Sequence, residues 1–130
     1  MSTTTSVKKK AANKILVVED DGEMRLVVDM ILHRADFDVE YVTTLLAADE
    51  YLQANKPSVI ILDNQLPDGY GVDFISYIRK KYPTVKIIMM SGFGSARDVA
   101  LENGAEMFFE KPFSLEEFSD GINKLLKNKS

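Results

Sequence analysis

Polar and charged residues sit where the short apolar runs of this chain end. Glu19, Asp20 and Asp21 follow the run Ile15 to Val18, and Asp63 follows Val59 to Leu62. Ser91 and Gly92 come after Val85 to Met90, and Glu110 and Lys111 after Glu106 to Phe109. If each run is a strand of one parallel sheet, all of these positions fall on a single edge. That edge, outside the carboxyl ends of the strands, is where open parallel sheets bind ligands. One acid at a strand end is ordinarily a solvated loop residue or a helix cap, as Asp20 or Asp21 could be for the helix that follows. Four strand ends that bring polar groups to the same edge favour a site.

Crowded carboxylates repel one another, which raises their affinity for a hard divalent cation with oxygen ligands. Magnesium suits such a place, or manganese instead, because the ion uses one or two carboxylates and keeps positions for water and phosphate oxygens. A carboxylate beside the metal can attack phosphorus and become an aspartyl phosphate. The Lys111 ammonium and the Ser91 hydroxyl would then neutralise charge on the equatorial oxygens. Asp63 is the strongest nucleophile candidate, since it stands alone on a central strand facing the paired acids.

The elements that must position these groups are legible in the apolar spacing. Lys14 to Glu19 and Val59 to Leu62 show no alternation, as expected of strands buried on both faces. Val39 to Val42, Val85 to Met90 and Glu106 to Phe109 read as three more strands. Met24, Val27, Val28, Ile31, Leu32 and Ala35 form one apolar stripe on a helix that starts near Gly22. Leu45 to Ala54 reads as a helix stopped by Asn55 and Pro57, and Val72 to Tyr82 as another, with its stripe at Val72, Ile75, Ile78 and Tyr82. Ala96 to Glu102 is a short helix closed by Asn103 and Gly104 as a left-handed pair. Ser114 and Glu117 make a capping box for a last helix striped by Leu115, Phe118, Ile122, Leu125 and Leu126. Five alternations of strand and helix predict an α/β fold: a five-stranded parallel sheet, doubly wound, with helices on both faces.

Composition excludes several other classes. A chain of 130 residues is one domain, and at this size folding removes roughly two thirds of the surface from water, so no staples are needed. With no cysteine, disulfide scaffolds, thiolate zinc sites and thiol catalysis are excluded. The apolar runs are far below the ~20 residues of a membrane span, and the N-terminus lacks the apolar stretch of a secretory signal. A cytoplasmic protein without membrane contact is expected. The formal charge is −4, but between Ile15 and Asn123 nine basic residues face all 20 acidic ones, a balance of −11. So acidic a body repels a phosphate backbone, which argues against nucleic-acid binding. Lys8, Lys9 and Lys10 read as part of a solvated, flexible tail over residues 1–13, with a second short tail at 128–130.

Four strings carry a specific resemblance: LVVEDD at Leu16 to Asp21, DNQLPDGYG at Asp63 to Gly71, MSG at Met90 to Gly92, and EKPF at Glu110 to Phe113. In this order and spacing the chain resembles the receiver domain of two-component response regulators, from Lys14 to about Lys127. The resemblance implies the flavodoxin-like strand order 2-1-3-4-5 and a phosphoacceptor at Asp63. It further implies a metal bound by Asp20, Asp63 and the backbone carbonyl of Gln65, with Glu19 acting through water and Asp21 one place too late. Ser91 takes the switch hydroxyl position, Lys111 the phosphate-contacting lysine and Phe108 the switch aromatic. Gly92 leaves room for a donor or water to reach Asp63, and Gln65 and Phe93 occupy positions that tune the phosphate lifetime. The Lys111–Pro112 peptide would be cis. Leu66, Ser91 and Phe108 stand where Met, Thr and Tyr are commoner. Phe108 has no hydroxyl, so a switch there rests on packing.

As implied partners, a sensor histidine kinase or a histidine phosphotransfer protein would supply phosphate. A downstream effector or a second copy would bind the fourth helix, fifth strand and fifth helix. The domain would act in a phosphorelay, and its only catalysis would be its own magnesium-dependent phosphorylation and dephosphorylation. The alternative is a pseudo-receiver that binds partners without phosphate, against which stands the presence of every reactive group. A phosphohydrolase of the haloacid dehalogenase type wants a second Asp where Gln65 stands, and a flavin carrier wants hydroxyls where Glu19 to Asp21 repel phosphate. His33, the one histidine, reads as a surface residue, and Tyr41, Tyr51, Tyr70, Tyr77 and Tyr82 as core edges or partner contacts. Only the polar Lys127 to Ser130 follow the last stripe. The expectation is therefore a single-domain receiver or a piece cut from a longer chain.

Overall fold

The computed structural model describes residues 14–34 and 37–127. The expected tails at 1–13 and 128–130, and Ala35 of the first stripe, lie outside them. Five parallel strands, β1 (Lys14–Val18), β2 (Asp38–Val42), β3 (Val59–Asp63), β4 (Lys86–Ser91) and β5 (Met107–Glu110), form one sheet in the order β2-β1-β3-β4-β5. Between and after them run α1 (Gly22–Arg34), α2 (Leu45–Ala54), α3 (Ile75–Lys81), α4 (Arg97–Glu102) and α5 (Leu115–Lys127). The expected fold class and strand order are both present. Strand order reverses at β1 and β3, where Val18 pairs with Leu62 and Asp63 with Met90.

Because successive strand side chains point to opposite faces, the unbroken apolar runs fill two cores at once. Leu16, Val18, Ile60, Leu62, Ile87 and Met89 pack beneath Ala48 and Leu52 of α2, Ile75 and Ile78 of α3, and Ala100 of α4. Ile15, Val17, Val59, Ile61, Ile88 and Met90 pack beneath Val28 and Leu32 of α1 and Phe118, Ile122 and Leu125 of α5. Each such side chain contributes about 1.5–3 kcal/mol by leaving water. Doubly buried strands are therefore rigid supports for whatever their carboxyl ends carry.

Three local expectations need correction. The helix read from Val72 to Tyr82 is instead a 3-10 turn, Gly71–Asp73, followed by α3. The main-chain N–H of Phe74 donates to the Gly71 carbonyl at 2.8 Å, a 3-10 bond three residues back, and the four-residue helical spacing is taken up from the Phe74 carbonyl, which accepts the Ile78 N–H at 3.1 Å. Of the pair that closes α4, only Gly104 has positive φ, +117°, whereas Asn103 is right-handed at −85°; and α4 itself starts at Arg97, after a 3-10 turn over Gly94–Ala96. Two short antiparallel strands, Gln65–Leu66 and Gly69–Tyr70, were not foreseen.

Other local signals hold. Ser114 Oγ accepts the Glu117 N–H at 3.0 Å, and the Asn55 N–H closes α2 on the Tyr51 carbonyl at 2.9 Å. His33 is exposed. Tyr41 hydrogen-bonds Asp29 at 2.5 Å, and Tyr77 and Tyr82 both donate to Asp49, at 2.9 and 3.0 Å, which ties α3 and its end to α2. Among the described residues no helix is long and apolar enough to cross a membrane.

Candidate functional site

At the carboxyl edge of the sheet the strands bring together residues distant in sequence. Asp63 is the last residue of β3 and is buried. Lys111 stands one place beyond β5, held by its main-chain N–H to the Ser91 carbonyl at 2.8 Å. Its ammonium lies 2.6 Å from Asp63 Oδ1 and 3.5 Å from Glu19 Oε1, which bridges the ends of β1 and β3. The Lys111–Pro112 peptide is cis.

Glu19 is 1% exposed, and its Oε2 accepts the Asp21 N–H at 3.0 Å. Burial raises the Glu19 pKa above 4.5, and the neighbouring Asp63 charge adds to this; the Asp21 N–H and Lys111 offset only part of it. For Lys111, burial alone disfavours the ammonium. The hydrogen bond and charge of Asp63, with Glu19 behind, outweigh burial and leave its pKa raised. Lys111 therefore stays positive throughout the neutral range.

The Glu19 shift predicts a pH dependence with a definite sign. A raised folded-state pKa means that the contribution of this group to stability is complete below about pH 4.5 and is lost as pH rises through the folded value. Glu19→Gln removes that loss. Urea unfolding at a series of pH values should show the stability of the variant improving relative to the parent from pH 4 to pH 7. A constant difference over that range would contradict the burial argument.

The other expected residues take the following places. Asp20 is exposed at the same edge, beside Glu19. Asp21 caps α1, with Oδ1 accepting the Glu23 N–H at 2.9 Å, as the helix-cap reading proposed. Ser91 is buried and its Oγ accepts the Phe93 N–H at 3.0 Å. Gly92 is exposed, and a Cβ there would meet no atom within 4 Å, so the approach to the edge is open at that point. Gln65 is exposed at the start of the small hairpin. Phe108 is packed in the first core, with the Arg97 guanidinium 5.3 Å from its ring centroid. Direct contact thus joins Glu19, Asp63 and Lys111, while Asp20, Gln65 and Ser91 surround them from neighbouring strand ends.

Three residues of this edge escaped sequence reasoning. Asn64 is buried next to Asp63 and bonded to Val72. Gly71 leaves no room for a Cβ, which would run into the Asp63 carbonyl. Asp68 accepts the N–H groups of Leu45 and Leu46 at 2.9 and 3.0 Å; the Leu45 N–H foremost holds its carboxyl below the usual range. The Asp68-Gly69 pair was an available turn signal, since Gly69 has φ +151°. Nothing in the spacing marked Asn64.

Among the described residues no three acidic or histidine side chains form a ready-made metal cage. Magnesium does not require one, because it is held by one or two carboxylates, with water and phosphate oxygens completing the shell. The donors at this edge, carboxylates and a main-chain carbonyl, are all the hard oxygens that such an ion takes.

An open parallel sheet in the order 2-1-3-4-5, covered on both faces and carrying buried charges at its switch edge, defines a flavodoxin-like α/β domain of the receiver type. The family model for the response regulator receiver domain matches residues 15–123, and the chain belongs to that family. It is 33% identical over 116 residues to the transcriptional regulatory protein BasR of Escherichia coli, covering 88% of this chain and 52% of BasR. It is 32% identical over 118 residues to the chemotaxis protein CheY of Listeria monocytogenes, covering 88% of this chain and 98% of CheY. The beryllofluoride-activated NtrC4 receiver domain, solved in solution as a dimer, superposes with a TM-score of 0.83 at 31% identity, over 90% of this chain and 98% of that one. The chain spans about half the length of BasR and of the PhoB regulators it also matches. It is a receiver domain of two-component signal transduction.

Proposed function

We propose that Asp63 accepts a phosphoryl group from the phosphohistidine of a sensor histidine kinase or a histidine phosphotransfer protein, and that the charged form alters partner binding. The observation that carries this reading is the 2.6 Å contact of Lys111 with a buried Asp63, beside a Glu19 whose ionisation is disfavoured. An Asp63 carboxylate oxygen attacks phosphorus as the phosphorus–nitrogen bond breaks, and the imidazole departs with the bond electrons. Lys111 remains an ammonium and draws the phosphoryl oxygens toward Asp63. Ser91 accepts from Phe93 through Oγ, which leaves its O–H to donate to a phosphoryl oxygen. Gly92 leaves the approach clear.

Magnesium, or manganese, is the cofactor proposed; held by Asp20, Asp63 and the Gln65 carbonyl, with Glu19 through water, it supplies positive charge to the phosphoryl oxygens when bound. The aspartyl phosphate carries about −1.5 to −2 where the carboxylate carried −1, and this net gain of up to about one negative charge, with the new oxygens, biases a pre-existing equilibrium between two packings. As Ser91 turns toward the phosphoryl group, Phe108 closes the space behind it. The surface altered is that of α4, β5 and α5, where an effector or a second copy docks. In this reading the unit at 14–127 works in the cytoplasm and performs no catalysis beyond its own phosphorylation and dephosphorylation.

The test is treatment with acetyl phosphate and magnesium, followed by intact mass measurement. A gain of one phosphoryl group is expected, and its loss when EDTA removes the metal. A protein that gains nothing under these conditions, yet binds partners, would be the pseudo-receiver alternative and would end the proposal.

A further inference from the structure

Among the described residues the buried polar or charged ones are Glu19, Asp63, Asn64 and Ser91. Three belong to the proposed site, and the fourth has no role in it so far. Asn64 follows the acceptor directly and makes three bonds. Its N–H continues the sheet ladder to the Met90 carbonyl at 3.0 Å. Its own carbonyl accepts the Gly71 N–H at 2.7 Å, and its side-chain Oδ1 accepts the Val72 N–H at 2.9 Å. A single residue thus closes both ends of the loop that runs from the acceptor strand to Gly71.

That loop is tight where it returns. A Cβ on Gly71 would collide with the Asp63 carbonyl and lie 3.0 Å from Leu62 Cγ, so the returning chain rests directly on the acceptor's main chain. Near its tip, Asp68 is anchored to the first N–H groups of α2. With tip and return both held, slack introduced at the Val72 bond has few places to go besides Gln65 and Asp63.

We infer that Asn64 is a positioning residue, whose side-chain clamp on Val72 holds the Asp63 carboxylate and the Gln65 carbonyl in the arrangement that captures a hard divalent cation. The inference rests on the proposed reading of this edge as a cation and phosphoryl site. An apolar residue of similar size would fill the same space but leave the Val72 N–H without its acceptor. Partners that orient metal ligands from behind commonly change affinity by about 10–100-fold when removed.

The test compares Asn64→Leu and Asn64→Asp with the parent 130-residue chain, using calorimetric titration with magnesium chloride and amide hydrogen exchange of the metal-free protein. Asn64→Leu should weaken magnesium binding about tenfold or more and speed exchange at the Val72 amide. Asn64→Asp keeps an acceptor oxygen in place and should bind magnesium at least as tightly as the parent, with the Val72 amide still protected. A general structural role would not produce this rescue. If the leucine variant does not fold, Asn64→Ala is judged by the same two measurements. Parental affinity in the leucine variant, or an equal loss in the aspartate variant, overturns the inference while leaving the proposed function standing. A parent chain with no affinity for magnesium overturns both.

Discussion

Asp63→Asn should abolish the phosphoryl mass gain altogether while leaving the fold in place. The amide has the shape of the carboxylate but not its nucleophilic oxygen, and neither neighbouring acid is a ready replacement. Glu19 is engaged by the Asp21 N–H and Lys111, and Asp20 lies out in solvent. The β3 pairing uses main-chain groups and is untouched. Lys111 keeps an oxygen acceptor, and one buried charge is gone, so stability should change by no more than about 1 kcal/mol. Removing the Asp63 charge also removes one cause of the raised Glu19 pKa, so that value should move back toward the ordinary carboxylate range. Intact mass after acetyl phosphate treatment, with carboxyl titration by NMR, reads both effects. Persistent labelling of the Asn variant would mean that another residue is the acceptor.

Gly71→Val should damage stability and phosphoryl uptake together. The new Cβ would overlap the Asp63 carbonyl, which is main chain and fixed by the sheet, and would press on Leu62. Overpacking of a rigid site costs about 1–3 kcal/mol, and here the upper part of that range applies because no flexible side chain can give way. What does yield is the end of β3, which displaces the acceptor from Lys111. A fall in the thermal midpoint, together with much slower acetyl phosphate labelling, is expected. Gly92→Ala, placed in open space, serves as the stability control and should lie within about 0.5 kcal/mol of the parent. A Gly71→Val protein that melts with the parent would contradict the close approach.

Much of this architecture is written in the apolar pattern. Runs such as Ile15 to Val18 and Val59 to Leu62 read as strands covered on both sides, which they are, and the residues just beyond them lie at the shared edge. Glu19, Asp63 and Lys111 could be named for that reason, since their positions follow from strand ends. What escaped depends on tertiary bonds. The helical stripe at Val72, Ile75 and Ile78 is real on its buried side, yet regular helix does not begin at Val72, because the chain first makes a 3-10 turn closed by the Phe74 N–H on the Gly71 carbonyl. Asn103 looked like half of a left-handed cap, but Gly104 alone supplies the positive φ. Asp68 belonged to a recognisable string, but its bond to a helix begun 23 residues earlier left no trace in local spacing.

The bond made by Asp68 also decides where an incoming anion can settle. The exposed amides at the start of a helix normally attract phosphate. Along α2 they are already taken: Leu45 and Leu46 donate to Asp68, Ala47 to Thr44 Oγ1, and Ala48 to the Thr44 carbonyl. This helix start is therefore no decoy berth for stray phosphate, and its capping carboxylate turns such ions away. Lys111, projecting between Asp63 and Glu19, is left as the cation that, under the proposed function, would draw a donor's phosphoryl group inward rather than sideways.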